Sequence, residues 1–221
     1  MYNSELSVLW FFNHTLSASW LDPIMIAITT VGWWVPAYVV GIAYLIWKYQ
    51  WKGARIALGA IVLVVISDQL ANQVIKPLVD RMRPCAQVPT GAYVVPWIRL
   101  PSGPRWGGSF PSSHAMNNFA VATYFVTIFN KKRRTRLLFI AAILISISRL
   151  YLGLHYPSDV VGGALIGMAL GVTFAAVVEF IEERIRRRGL PVEEEVQAKK
   201  EARELRTVDP RTAPWNVGQN L

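Results

Sequence analysis

The sequence predicts an all-α, polytopic transmembrane helical bundle of five to six spans with a charged cytoplasmic C-terminal tail. Three observations carry that prediction. Hydrophobic residues make up 53% of the 221 and charged residues only 17%, against roughly a quarter in soluble domains. The mean hydropathy is +0.31. Five apolar stretches approach the length of about 20 residues that a bilayer requires, and lysine and arginine collect in alternate connections between them.

The segment from Pro23 to Trp47 carries no charge. Pro23 and the Gly32-Trp33-Trp34 step predict a short separate helix over 21–31, with the first crossing running from about Trp33 to Tyr49. Further crossings are expected over 54–75, 115–129, 137–154 and 160–180. A sixth, through the region of Leu6 to Trp20, stays open. Nothing near Met1 reads as a cleavable secretory signal, because a basic leader is missing and Asn13, His14 and Asp22 interrupt the apolar run.

Lys48, Lys52 and Arg55 separate the first two spans, Lys131 to Arg134 and Arg136 the third and fourth, and Arg184, Arg186, Arg187 and Arg188 follow the fifth. The positive-inside rule places all three groups in the cytoplasm. A membrane-embedded domain is therefore expected over 1–181 and a cytoplasmic tail over 182–221, where Glu195 and Lys199 are spaced to pair along a helix. The formal charge of +9 lies mostly at the ends of apolar runs, which fits membrane lipids as surroundings and argues against a nucleic-acid partner. A single cysteine, Cys85, excludes an internal disulfide framework and a cysteine-rich metal site.

On this topology three polar clusters face the exterior. They are Lys76 to Pro84, Pro111 to His114, and Ser148-Arg149 through His155 to Asp159. Each has a bland reading. Lys76, Arg81 and Arg83 are able to snorkel to headgroups, although cations on the outer face run against the usual bias. Ser112 and Ser113 suit a helix N-cap. Asp159 would favour the start of the last helix through its dipole. Arg149 is harder to dismiss, because an unpaired guanidinium inside a span costs on the order of 2.5 to 3.5 kcal/mol, so that it needs either a structural partner such as Asp68 or a functional one.

Taken jointly, the clusters supply cations, a helix N-terminus, two histidines and a carboxylate four residues from one of them. A phosphate monoester needs cations and N–H groups around its oxygens, a nucleophile in line, and an acid for the departing alkoxide. Arginine forks and helix N-termini suit phosphate oxygens, and Asp159 is able to reach one imidazole nitrogen of His155 and leave the other free.

Lys76-x6-Arg83-Pro84, Pro111-Ser112-Ser113-His114 and Ser148-Arg149-x5-His155-x3-Asp159 resemble, in order and spacing, the three-part signature of the type 2 phosphatidic acid phosphatase superfamily. The likeness covers roughly residues 21–180. It implies a metal-independent membrane enzyme without cofactor that hydrolyses a lipid phosphate or diphosphate through a phosphohistidine. By that resemblance His155 is the nucleophile, Asp159 its orienting partner, and His114 the acid and then the base. Lys76, Arg83, Ser112, Ser113 and Arg149 form the phosphate cradle. Ser113 stands where the family has glycine, which tests whether that position needs a positive φ. The substrate is left among undecaprenyl diphosphate, phosphatidate, phosphatidylglycerol phosphate and a lipid A phosphate, with undecaprenyl diphosphate favoured at the family level. The competing expectations are a lipid or anion transporter that binds phosphate during passage and a noncatalytic scaffold.

Overall fold

A computed structural model of the chain describes residues 2–129 and 135–188. The expectations for Lys131 to Arg134 and for the tail beyond Arg188 lie outside the described residues. Among these residues the architecture is helical, with one isolated antiparallel bridge between Gln87 and Tyr93 as the extended pairing. The helices are α1 (Tyr2–Trp10), α2 (Asp22–Thr29), α3 (Val35–Gln69), α4 (Lys76–Val79), α5 (Ser113–Ile128), α6 (Leu137–Tyr151) and α7 (Pro157–Arg188). The chain divides after Glu179 into two units, and every predicted site residue belongs to the first. Within the second, Arg186 and Arg187 pair with Glu183.

Among the described residues two helical stretches are long and apolar enough to cross a membrane, Val31–Val79 and Pro157–Arg187. The first reverses in the middle. Gln50 has φ 51° and ψ −134°, and a Cβ on Gly53 would fall 2.0 Å from the Leu45 carbonyl oxygen. In a continuous helix those residues would stand about 12 Å apart. Gly53 is therefore required by a close backbone approach, and the two halves of α3 lie against each other through Leu45, Ile56 and Ala57. A π-helical turn, Leu70–Ile75, carries the second half into α4, which ends at Asp80 in the left-handed conformation.

The central core joins Leu63 of α3, Ala120 and Tyr124 of α5, and Ala175 and Val178 of α7. The α5–α7 contact follows from one stripe. A Cβ on Gly163, Gly167 or Gly171 would meet the carbonyl oxygen of Ser112, Met116 or Ala120 at 2.6, 2.2 and 2.5 Å. Small residues at four-residue spacing let helix backbones touch where lipid supplies no hydrophobic drive. This stripe sets the height of α7 against the start of α5.

Facing away from that core, Val40 is 67% exposed, Ile140 54% and Leu165 59%. Apolar side chains spread over helices in this way match a surface solvated by acyl chains, and the protein is a membrane protein. Trp47 and Trp51 flank the basic bend at Gln50, and Trp33 stands at the other end of the first half of α3, as interfacial tryptophans do.

The first residues do not form a long apolar helix. α1 spans nine residues, about 13 Å, and Leu9 is buried with Val95, Ile98 and Tyr156. Asn13, fully buried, donates to the carbonyls of Arg99 and Tyr151 and accepts from the Arg99 amide. These bonds fasten the N-terminal segment to the 80–112 connection and to the end of α6.

Candidate active site

The three clusters meet. Lys76 begins α4, Ser112 and His114 start α5, Arg149 lies in the last turn of α6, and His155 and Asp159 form the corner into α7. His114 bonds the Thr29 backbone and lies within electrostatic reach of Arg149, His155 and Lys76.

Asp159 is fully buried and is the most heavily bonded residue of the site. Its Oδ2 accepts from the Ser109 hydroxyl and, at 2.8 Å, from the Tyr156 amide, and its Oδ1 accepts from Arg81 Nη1 at 2.8 Å. Nδ1 of His155 faces Oδ2 at 3.5 Å. That is long for a hydrogen bond, and it leaves the ring held by attraction to a fixed carboxylate. On the other side of the ring, Nε2 of His155 lies 3.0 Å from Nη1 of Arg83. Arg83 is anchored by two carbonyls, Gly107 and Leu154, both at 3.1 Å.

Burial is the main influence on His155. Opposed by Asp159 and reinforced by Arg83 and Arg149, it lowers the imidazole to about 3. The ring is therefore neutral at pH 7, the form in which a nitrogen lone pair is nucleophilic.

Two buried groups stand unsatisfied beside it. Arg149 is 5% exposed, donates from Nη1 to the Thr29 hydroxyl at 2.9 Å, and has no partner at Nε. No carboxylate pairs with it among the described residues; Asp68, its candidate structural partner, accepts instead from Asn117. The Ser112 hydroxyl is buried without a partner and makes no cap, while its amide donates to the Asp159 carbonyl at 3.0 Å. The first helical bond of α5 runs from the Met116 amide to Ser112, so that the amides of Ser113, His114 and Ala115 stand ahead of it at the helix N-terminus.

Ser113 replaces the expected glycine without strain. It lies outside the positive-φ region, and its hydroxyl accepts from Lys76 Nζ at 2.8 Å. Lys76 also donates to Asn72 one turn earlier. Ser148, by contrast, bonds back to the Ile145 carbonyl and packs within α6.

Sequence reasoning places Arg81 only among interfacial cations and assigns no part to Ser109, Thr29, Asn72 or Glu5. Asn72 is legible as the residue four before Lys76. The others are brought in by tertiary contacts that no local spacing announces.

The chain has known relatives. The sequence model of the PAP2 superfamily matches residues 57–183. The chain belongs to the PAP2 superfamily. It is 36% identical to a lipid A 4'-phosphatase of Bacteroides thetaiotaomicron over 82% of this chain and 80% of that protein. It is 31% identical to phosphatidylglycerophosphatase B of Bacillus subtilis over 76% of this chain and 78% of the other. Among solved structures, a transmembrane PAP2-type phosphatidylglycerolphosphate phosphatase from Bacillus subtilis superposes with a TM-score of 0.60 at 24% identity, covering 83% and 87% of the two chains. That likeness establishes the fold.

Proposed function

We propose that this membrane lipid phosphatase removes a phosphate monoester from a lipid headgroup at the outer membrane face, through a phosphohistidine on His155. The observation that carries the reading is Arg149, a buried guanidinium with an open Nε and no carboxylate partner among the described residues, beside a neutral imidazole. A lipid phosphate carries about −1.5 to −2 charge at pH 7 and three acceptor oxygens. It would supply the anion that Lys76, Arg83 and Arg149 lack, and the acceptor for Ser112 and for the open amides of α5.

In the first step the Nε2 lone pair of His155 attacks phosphorus while the bond to the lipid oxygen breaks with its electron pair. The bound phosphate dianion holds a proton on His114, which gives it to that oxygen, and the lipid alcohol leaves. His114 then takes a proton from water, the hydroxide attacks phosphorus, and the N–P pair returns to Nε2 as inorganic phosphate forms. Arg83, which faces Nε2, passes to a phosphate oxygen as phosphorus approaches. Asp159 holds Nδ1 and offsets the positive charge that the ring gains. Charges that a metal would bring are available from the three cations, which supports a metal-independent course.

Phosphate monoesters are favoured over undecaprenyl diphosphate because the two curated relatives described above, each matched over more than three-quarters of its length, are named for lipid A 4'-phosphate and phosphatidylglycerophosphate. For topology we propose five crossings, two from the halves of α3 and one each from α5, α6 and α7. α1 then lies across the outer face, and residues 182–221 form a cytoplasmic tail apart from the 1–181 domain.

The test is release of inorganic phosphate by purified protein in detergent from phosphatidate, phosphatidylglycerol phosphate, lipid A and undecaprenyl diphosphate, each with EDTA. The proposal expects release from the monoesters that survives chelation. Substrate binding without release would favour a transporter, and loss of activity with EDTA would oppose the metal-free mechanism.

A further inference from the structure

The N-terminal helix reaches the reaction centre through one carboxylate. Glu5 Oε2 accepts from Nη2 of Arg81 at 2.8 Å, and Nη1 of the same guanidinium donates to Asp159 Oδ1 at 2.8 Å. Glu5 Oε1 accepts from the Ser158 amide at 3.1 Å and from the Ser158 hydroxyl. The guanidinium also lies 4.2 Å from the centre of the Tyr156 ring, a favourable cation–π distance. The side chains of Arg81, Glu5 and Asp159 are 27%, 17% and 0% exposed. A chain of contacts thus leads from the protein edge to the buried carboxylate. The chemistry written above uses neither Glu5 nor Arg81.

What the chain of contacts does follows from the carboxylate itself. The terminal torsion of an aspartate is soft. Ser109 and the Tyr156 amide both bond Oδ2, the oxygen that faces His155. Donors on one oxygen leave the carboxylate free to pivot about it, and a donor on the other fixes the plane. Arg81 is the side chain bonded to Oδ1. Its own freedom is removed in turn by Glu5, Ser158 and Tyr156.

We propose that Arg81 is a positioning residue that fixes the plane of the Asp159 carboxylate, and that Glu5 of α1 positions Arg81, making the N-terminal helix part of the catalytic apparatus. The inference rests on the phosphohistidine reading for the roles of Asp159 and His155. It explains why an arginine stands on the outer face against the charge bias of membrane proteins, and why the short N-terminal helix is tied down by a partly buried ion pair rather than left on the lipid surface.

The experiment measures kcat, KM and melting temperature for full-length protein in detergent micelles acting on dioctanoyl phosphatidate. The variants are Arg81→Gln, Arg81→Lys, Glu5→Gln and the double Glu5→Gln/Arg81→Gln. Losing the outer partner that orients a metal-ligating histidine costs about 10- to 100-fold, and a carboxylate that orients a nucleophilic histidine sets the same scale here. Arg81→Gln is expected to lower kcat by that factor with KM within about twofold. Arg81→Lys recovers part of the loss, because one ammonium replaces only one arm of the fork. Glu5→Gln lowers kcat by a smaller factor, and the double variant is no slower than Arg81→Gln, since Glu5 acts through Arg81. Independent, multiplying losses would overturn the relay, as would changes confined to KM and melting temperature. If Arg81→Gln does not fold, Glu5→Gln carries the same test, and an unchanged kcat there would overturn the inference. Active wild type, inactive His155→Ala and unimpaired Arg81→Gln would sink the inference alone, whereas wild type that releases no phosphate from any lipid would sink it together with the proposed function.

Discussion

Arg83 and Asp159 hold His155 from opposite sides, Nη1 of the arginine 3.0 Å from Nε2 and Oδ2 of the aspartate 3.5 Å from Nδ1. One nitrogen is thereby set against a fixed anion and the other against a buried cation. The imidazole can serve as a nucleophile only if it is uncharged. Its depression to about 3 accounts for that without a separate base.

The depression gives a pH prediction. An unfolded histidine titrates near 6.5, so between that value and about 3 the unfolded state binds a proton that native His155 refuses. Stability contributed at this position is full above about pH 6.5 and falls as pH drops toward 3. With histidines labelled by 15N, the His155 ring should stay neutral from pH 8 to pH 5. A midpoint near 6.5 would contradict the burial argument.

Arg149 sets stability against function. Its guanidinium is buried and no carboxylate pairs with it among the described residues, at a cost on the order of 2.5 to 3.5 kcal/mol by insertion scales. Arg149→Met should leave the melting temperature unchanged or higher while phosphate release falls by about 100-fold or more. A large loss of stability with activity retained would reassign Arg149 to structure.

The glycine stripe makes a packing prediction. A Cβ on Gly167 would lie 2.2 Å from the Met116 carbonyl oxygen, so Gly167→Val must push α7 away from α5. The expected cost is about 1 to 3 kcal/mol, with a matching fall in kcat as His155 moves relative to His114. A variant of unchanged melting temperature and activity would show that the helices need no such contact.

Topology is testable through thiols. Cys85 is 1% exposed and Trp106 78%. An impermeant maleimide applied to intact cells should leave wild-type Cys85 unlabelled but modify Trp106→Cys in a Cys85→Ala background. Labelling of Trp106→Cys from the cytoplasmic side alone would invert the orientation.

The apolar runs announced the helices because length and hydropathy act locally, and the short helix at Asp22–Thr29 was legible from Pro23 and Gly32. The reversal at Gln50 was legible only as a basic connection, since the feature that enforces it is the closeness of Gly53 to Leu45 rather than a turn signature. Gly163, Gly167 and Gly171 were readable in principle as a small-residue repeat along one helix face. Lys76, Arg83, His114, Arg149, His155 and Asp159 stood out as a set gathered on one side of the predicted bundle; singly, Lys76, Arg83 and Asp159 had ordinary readings as interfacial cations or a helix-dipole partner. Glu5 and Ser109 did not, since a carboxylate on a short N-terminal helix and a serine in a loop are ordinary until the fold brings them to Arg81 and Asp159. Ser113 shows the limit of motif comparison. Its departure from glycine raised a question of backbone strain that its actual conformation and its bond to Lys76 answer.

The central claim is that phosphate passes through His155. The direct measurement is rapid acid-free quenching of the protein mixed with a 32P-labelled lipid phosphate, followed by peptide mapping of the trapped label. The account predicts acid-labile, base-stable phosphate on His155, absent from His155→Ala. Label on another residue, or unimpaired turnover by His155→Ala, would contradict it.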